Sequence, residues 1–268
     1  MSSTAAALRP VNRRPMLTKV PEITLMFWVI KILSTAMGEA TSDFLVFHVN
    51  PYLAVISGFV GFAAALVLQL AVRRYIAPVY WLVVVMISIF GTMIADVIHI
   101  VLGVPYALTT LGFGGTLAIV LILWHRVESS LSIHTICTTR RELFYWATVV
   151  ATFALGTAAG DFTASSLGLG YEMSAVLFTI VFLIPVIGYR WFGWNEIFAF
   201  WFAYIATRPM GASFADWTDK PRAIGGLGYG TPAVSLILTV VIVILVAAIT
   251  RRPDGTGRQR SFTASERD

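Results

Sequence analysis

The sequence predicts an all-α, polytopic membrane protein with eight transmembrane helices, arranged as four tandem helical hairpins in two pseudo-symmetric halves. Three observations predict it. Of 268 residues, 57% are hydrophobic and 12% charged, about half the roughly 25% charge usual in globular domains. Apolar windows long enough to cross a bilayer recur along the chain, and mean hydropathy is +0.80. The pattern Trp-x9-Gly-x4-Asp occurs four times with one internal spacing, as Trp28/Gly38/Asp43, Trp81/Gly91/Asp96, Trp146/Gly156/Asp161 and Trp201/Gly211/Asp216. A fixed internal spacing is the signature of repeat architecture.

The spans fall at about 23–44, 50–72, 79–99, 104–124, 143–163, 171–189, 195–216 and 231–250. The motif always lies on the first helix of a pair. Turn residues close each pair: Asn50-Pro51, Gly103-Val104-Pro105, Gly168-Leu169-Gly170 and the run from Gly225 to Pro232. The polar segments 1–20 and 253–268 read as disordered cytoplasmic tails. Between them lie a first half, 21–126, a cytoplasmic connection, 127–142, and a second half, 143–252. Basic residues near the N-terminus resemble a signal-peptide leader. The apolar segment that follows holds the first motif and no convincing cleavage site, so it reads as a retained helix.

Charge sets the orientation. Fifteen of nineteen Lys and Arg lie in the tails, in Arg251-Arg252 just before the second tail, or in the segments 73–78, 125–142 and 190–194. The positive-inside rule then places both termini in the cytoplasm, with multi-pass membrane insertion. Net charge of +5 is explained by this asymmetry, and no nucleic-acid partner is expected. Cys137 is the single cysteine, which excludes an intrachain disulfide and a Cys metal cluster.

The repeats differ in detail. Asp43 and Asp161 precede Phe, whereas Asp96 and Asp216 follow Ala. This pairing of like copies suggests a duplicated four-helix unit with a two-fold axis along the membrane normal. From Trp to Asp is roughly 22 Å of helix, so the Trp set, with Tyr80 and Tyr145, reads as an interfacial aromatic belt. The Gly set reads as close-packing surface.

The Asp set carries the functional expectation. A carboxylate at a helix C-terminus opposes the helix dipole, and Asn or Gly would terminate a helix more cheaply. Asp43, Asp96, Asp161, Asp216 and Glu39 are therefore candidate ion- or substrate-binding residues, since hard cations take oxygen ligands. Residues four apart share a helix face, so Glu39, Thr35 and Lys31 line up beneath Asp43, and Thr92 and Ser88 beneath Asp96. Thr157 similarly lies beneath Asp161, and Arg208 beneath Asp216.

Lys31 and Arg208 lie inside the spans, where a charge costs at least about 2.5–3.5 kcal/mol. They are candidate gating or coupling residues. In the repeat frame Arg208 and Glu39 differ in depth by about 6 Å, which makes an ion pair between repeats plausible. Pro209 is expected to interrupt helix seven. His99, one turn beyond Asp96, is a candidate metal ligand. No nucleophile elbow, phosphate-binding loop or H-E-x-x-H helix is present, so no enzyme activity and no cofactor is expected.

With these residues in view, the chain resembles a bacterial family of uncharacterised membrane-anchored proteins built of four tandem two-helix repeats of unknown function, each with a characteristic Trp. The matching positions are Trp28, Trp81, Trp146 and Trp201, and the likeness covers about 20–250. The segments Gly38-Glu39-Ala40-Thr41-Ser42-Asp43 and Arg208 to Asp216 are typical of it. The resemblance implies the architecture and brings no activity with it. Two functions fit: a transporter or channel for a small cation (a proton or divalent metal) or other small solute, or a non-transporting scaffold, sensor or partner subunit. The bilayer is the partner in both.

Overall fold

A computed structural model describes residues 18–251 and is all-helical, with no strand among them. Eight α-helices follow in order: α1 Leu25–His48, α2 Pro51–Ala71, α3 Ala77–Asp96, α4 Tyr106–Glu128, α5 Thr139–Asp161, α6 Gly170–Phe192, α7 Glu196–Asp219 and α8 Thr231–Arg251. Single π-helical turns, Val97–Val101 and Phe162–Ser166, extend α3 and α5.

Local chemistry sets the helix starts. The side chains of Thr24, Asn50, Thr138 and Asn195 each accept from backbone N–H groups of the first turn they precede, satisfying donors that have no partner within the helix. Pro51 sits at the start of α2, where its missing N–H costs nothing. Pro209 does not interrupt α7, which runs unbroken from Glu196 to Asp219 around it. Residues 206–213 around it are all buried, and that packing offsets the lost backbone bond.

The odd-numbered helices form an inner ring, with α1 against α3 and α7, and α5 against the same two. Each even helix packs mainly on the inner helix of the following repeat: α2 on α3, α4 on α5, α6 on α7, and α8 back on α1. The two helices of one repeat touch little, so the repeats interlock instead of folding as self-packed hairpins. Outer helices display apolar side chains such as Ile56, Phe59, Leu111, Ile122, Ile180 and Val243, a surface suited to lipid. Inner helices bury hydroxyls, including Ser34, Thr35, Ser88, Thr92, Thr152, Thr157 and Thr207.

Six helices are long and apolar enough to cross a membrane: α2, α3 with its π turn, α4, α5 with its π turn, α6 and α8. These features are those of a multi-pass membrane protein. The two others, α1 and α7, carry most of the buried charges, Lys31, Glu39, Arg208, Asp216 and Asp219. Surrounded by protein, they have no need of an apolar surface all round.

Residues 1–17 and 252–268 lie outside the described residues, and with them almost all of both expected tails. Thr18 to Val20, counted with the first tail, are packed. Backbone bonds join Lys19 to Ile136 and Tyr75 to Thr18. Lys19 Nζ donates to Glu142 Oε2 at 2.5 Å, and Gln69 Nε2 donates to Glu142 Oε1 at 2.9 Å. Ile133 and Ile136 of the connection are buried in the same core. This end of the bundle is closed by its own polypeptide.

Candidate functional site

The inner ring stacks three layers, each built from equivalent positions of the repeats. The first layer is aromatic. In all four copies the residue before Trp is aromatic too: Phe27, Tyr80, Tyr145 and Phe200, all buried. Each of these rings meets the Trp of the next repeat. The centroid distances are 5.8 Å for Phe27–Trp81, 5.4 Å for Tyr80–Trp146, 6.1 Å for Tyr145–Trp201 and 5.8 Å for Phe200–Trp28. Separations of this size suit aromatic pairs, and Tyr80 and Tyr145 also share a hydroxyl hydrogen bond at 2.5 Å. The expected lipid-facing belt is therefore corrected. Trp81, Trp146 and Trp201 are buried and Trp28 is half-buried, so the aromatics plug the centre of the bundle.

The second layer rests on the glycines, and the same rule of succession holds. A Cβ on Gly38 would strike Ser88, one on Gly91 would strike Phe153, one on Gly156 Arg208, and one on Gly211 Thr35. In every case the residue met lies seven positions after the Trp of the next repeat, and the fourth repeat closes onto the first. Glycine lets adjacent helices approach at these four crossings, as small residues do in membrane helices.

Arg208 lies at the centre of this layer and is fully buried. Its Nη2 donates to Glu39 Oε2 at 2.8 Å, to Thr157 Oγ1 at 2.7 Å, and to Thr92 Oγ1. Its Nη1 donates to Thr35 O at 3.0 Å, and Thr92 Oγ1 donates to Glu39 Oε2 at 3.2 Å. Glu39, Thr92 and Thr157 occupy one repeat position, the residue after Gly; in the fourth repeat it is Ala212. One guanidinium thus joins all four repeats, and the expected Glu39–Arg208 pair is present. Lys31 does not join this network. Its buried Nζ has no hydrogen-bond partner among the described residues. It lies 4.1 Å from the Phe153 ring centre and 4.3 Å from that of Tyr204, an arrangement in which ring faces stand in for a counter-ion.

The third layer, one turn beyond, holds the repeat aspartates. Asp43, Asp96, Asp161 and Asp216 lie close enough to act on one another electrostatically, and each also faces the charge of Glu39. Asp96 and Asp161 sit where α3 and α5 loosen into their π turns, and Asp43 and Asp216 lie in regular helix. Two further residues belong here. Asp219 is buried, and its carboxylate lies within 4.8 Å of those of Asp43 and Asp216, taking one oxygen from each. Lys220 Nζ donates to Asp43 Oδ2 and lies 3.5 Å from Asp216 Oδ1.

Burial opposes the Lys220 charge, but the carboxylates of Asp216, Asp43 and Asp219 outweigh it, so its pKa stands well above the usual lysine value. The ammonium stays charged at every physiological pH. The glycine-rich run holds it in place. The N–H groups of Leu227, Gly228, Tyr229 and Gly230 donate to the carbonyls of Trp217, Lys220, Thr218 and Asp219, capping the end of α7. Positive φ at Gly225, Gly228 and Gly230 makes this return possible.

His99 makes contacts of its own. Its Nδ1 pairs with Val104 O at 2.8 Å, and its ring stacks on Tyr106 at 3.5 Å. No metal-capable cluster among the described residues includes it. Asp219 and Lys220 were readable in the sequence: they follow Asp216 by three and four positions, and residues so spaced share a helix face. The aromatic before each Trp was equally visible.

Helical repeats with a polar interior and an apolar exterior define a membrane-type repeat protein. The chain belongs to the family described as Repeat of Unknown Function (DUF347), whose model matches residues 26–75, 79–130, 144–193 and 199–253. No curated protein matches the chain. No solved structure matches it either.

Proposed function

We propose that this protein is an integral membrane transporter or channel for a cation, a proton or a divalent metal, with its pathway along the axis of the inner ring. All eight helices cross the bilayer in this reading, and both termini are cytoplasmic in a bacterial inner membrane. The four repeats surround one axis. Their successive contacts give approximate four-fold order, which the identities beside each Asp reduce to two related halves. The observation that carries the proposal is the gathering of Asp43, Asp96, Asp161, Asp216 and Glu39 into one region of the axis.

Carboxylates collected at one mouth concentrate cations, as acidic rings do in cation channels. The charge of Arg208, held on Glu39 between the repeats, repels a cation and occludes the path beneath. Release of Glu39 from Arg208 is the step that opens it, and the aromatic layer closes the far side. The protein is not an enzyme in this reading, and needs no cofactor.

Reconstitution into liposomes tests it, with a pH-sensitive dye or a metal-sensitive dye inside. The wild type should conduct one of the two ions, and Asp161→Asn should slow that flux several-fold without loss of folded protein. A silent substitution would favour the scaffold reading, in which the repeats only pack.

A further inference from the structure

The carboxylates of Asp43, Asp216 and Asp219 differ from the rest of the acidic layer in two ways. They converge, with one oxygen from each lying within 4.8 Å of the others. Oxygen ligands about 2.3–2.6 Å from a calcium-sized ion can stand no more than about 5 Å apart, so the three are spaced to close on one ion with a small inward adjustment. Furthermore, both oxygens of Asp219 are buried and lack any hydrogen-bond partner among the described residues, in a residue only 3% exposed. A buried carboxylate is ordinarily satisfied. Here the unmet acceptors belong to a side chain that has two more carboxylates beside it and feels the Lys220 charge without a hydrogen bond to it. Among the described residues Lys220 is the ammonium that pairs directly with the cluster, through Asp43 and Asp216. Three carboxylates thus face one ammonium, on a side chain that begins just past the end of α7.

We propose that Asp43, Asp216 and Asp219 form a binding site for a hard divalent cation, and that the Lys220 ammonium is its tethered competitor, displaced when the ion enters. The ion takes carboxylate oxygens from α1 and α7. Lys220, on a four-carbon stem at the mouth, swings outward. The site selects divalent over monovalent cations because the entering ion must outbid a resident single charge. This rests on the proposed cation pathway and names its substrate class. Asp96 and Asp161 lie outside the triad.

Manganese binding to the full-length protein in lipid nanodiscs tests it, read by the loss of the free-ion electron paramagnetic resonance signal. The wild type should bind one Mn²⁺ per chain saturably, and Ca²⁺ should compete. Asp219→Asn should weaken binding at least about ten-fold, because affinity in oxygen sites follows the charge of the ligand set. Asp219→Glu should retain most of it. Lys220→Met should tighten binding several-fold.

Unchanged affinity in Asp219→Asn, or unchanged or weaker affinity in Lys220→Met, overturns the site. Should Lys220→Met fail to fold, the Asn and Glu variants at Asp219 still decide. The two proposals fail separately. Ion flux lost in Asp161→Asn without Mn²⁺ binding at the triad removes this site and leaves the pathway. Mn²⁺ binding with flux unaffected by Asp161→Asn does the reverse.

Discussion

Arg208 is fully buried, so its charge must be met by protein. Glu39 meets the charge, while Thr35, Thr92 and Thr157 accept from its Nη groups; its Nε has no partner among the described residues. Removing one member of such a pair leaves the other stranded, at a cost of about 3–5 kcal/mol. Glu39→Gln and Arg208→Met should each lower the thermal midpoint in detergent sharply. The double variant should recover much of the loss, because no buried charge then remains unpaired. Additive losses in this cycle would show that the two side chains do not act as a pair. The Glu39–Arg208 partnership was readable from depth alone, since two repeats with one frame place the residues about one turn apart. Lys31 was not. Its position on α1 gave no hint that its neighbours would be the rings of Phe153 and Tyr204, because that depends on how the helices rotate.

Helices and their limits followed from apolar length and turn residues, and the structure departs from them by a few residues at the ends. What hydropathy could not supply was the partner of each helix. A short loop suggests packing within a pair, yet the outer helices lie on the next repeat. The glycines explain this, because they fix the crossings between inner helices and leave each outer helix to cover the following one. Gly38→Ala would place its Cβ 2.8 Å from the backbone carbon of Ser88, so the crossing must open. The expected cost is about 1–3 kcal/mol. Gly160→Ala meets nothing nearer than 3.7 Å and should leave stability equal or slightly raised, since alanine favours a helix. Thermal unfolding of the two variants side by side checks the contrast. Equal losses would mean that the crossing is not tight at Gly38.

A ring must close, and α8 on α1 is where it does. Thr41 Oγ1 and Ser235 Oγ lie 2.6 Å apart across that contact, close enough for a disulfide to replace them. In a Cys137→Ser background, Thr41→Cys with Ser235→Cys should oxidise within one chain under mild conditions. Failure of that crosslink in folded protein would break the ring. Such closure was not legible in the sequence, where like residues beside Asp favoured two halves. The succession of aromatic on Trp and glycine on neighbour appears only once the repeats are placed in space. This closure brings four matched aspartates, distant in sequence, into one acidic layer beside one guanidinium, the layer that the proposed function reads as a mouth. The central claim is that this mouth carries cations, and proteoliposome flux tests it most directly, with each of Asp43, Asp96, Asp161 and Asp216 changed singly to Asn. The account predicts cation flux in the wild type and a several-fold loss in all four variants, with Gly160→Ala unaffected. Absence of cation flux in the wild type, or four Asn variants that conduct like it, would contradict the account.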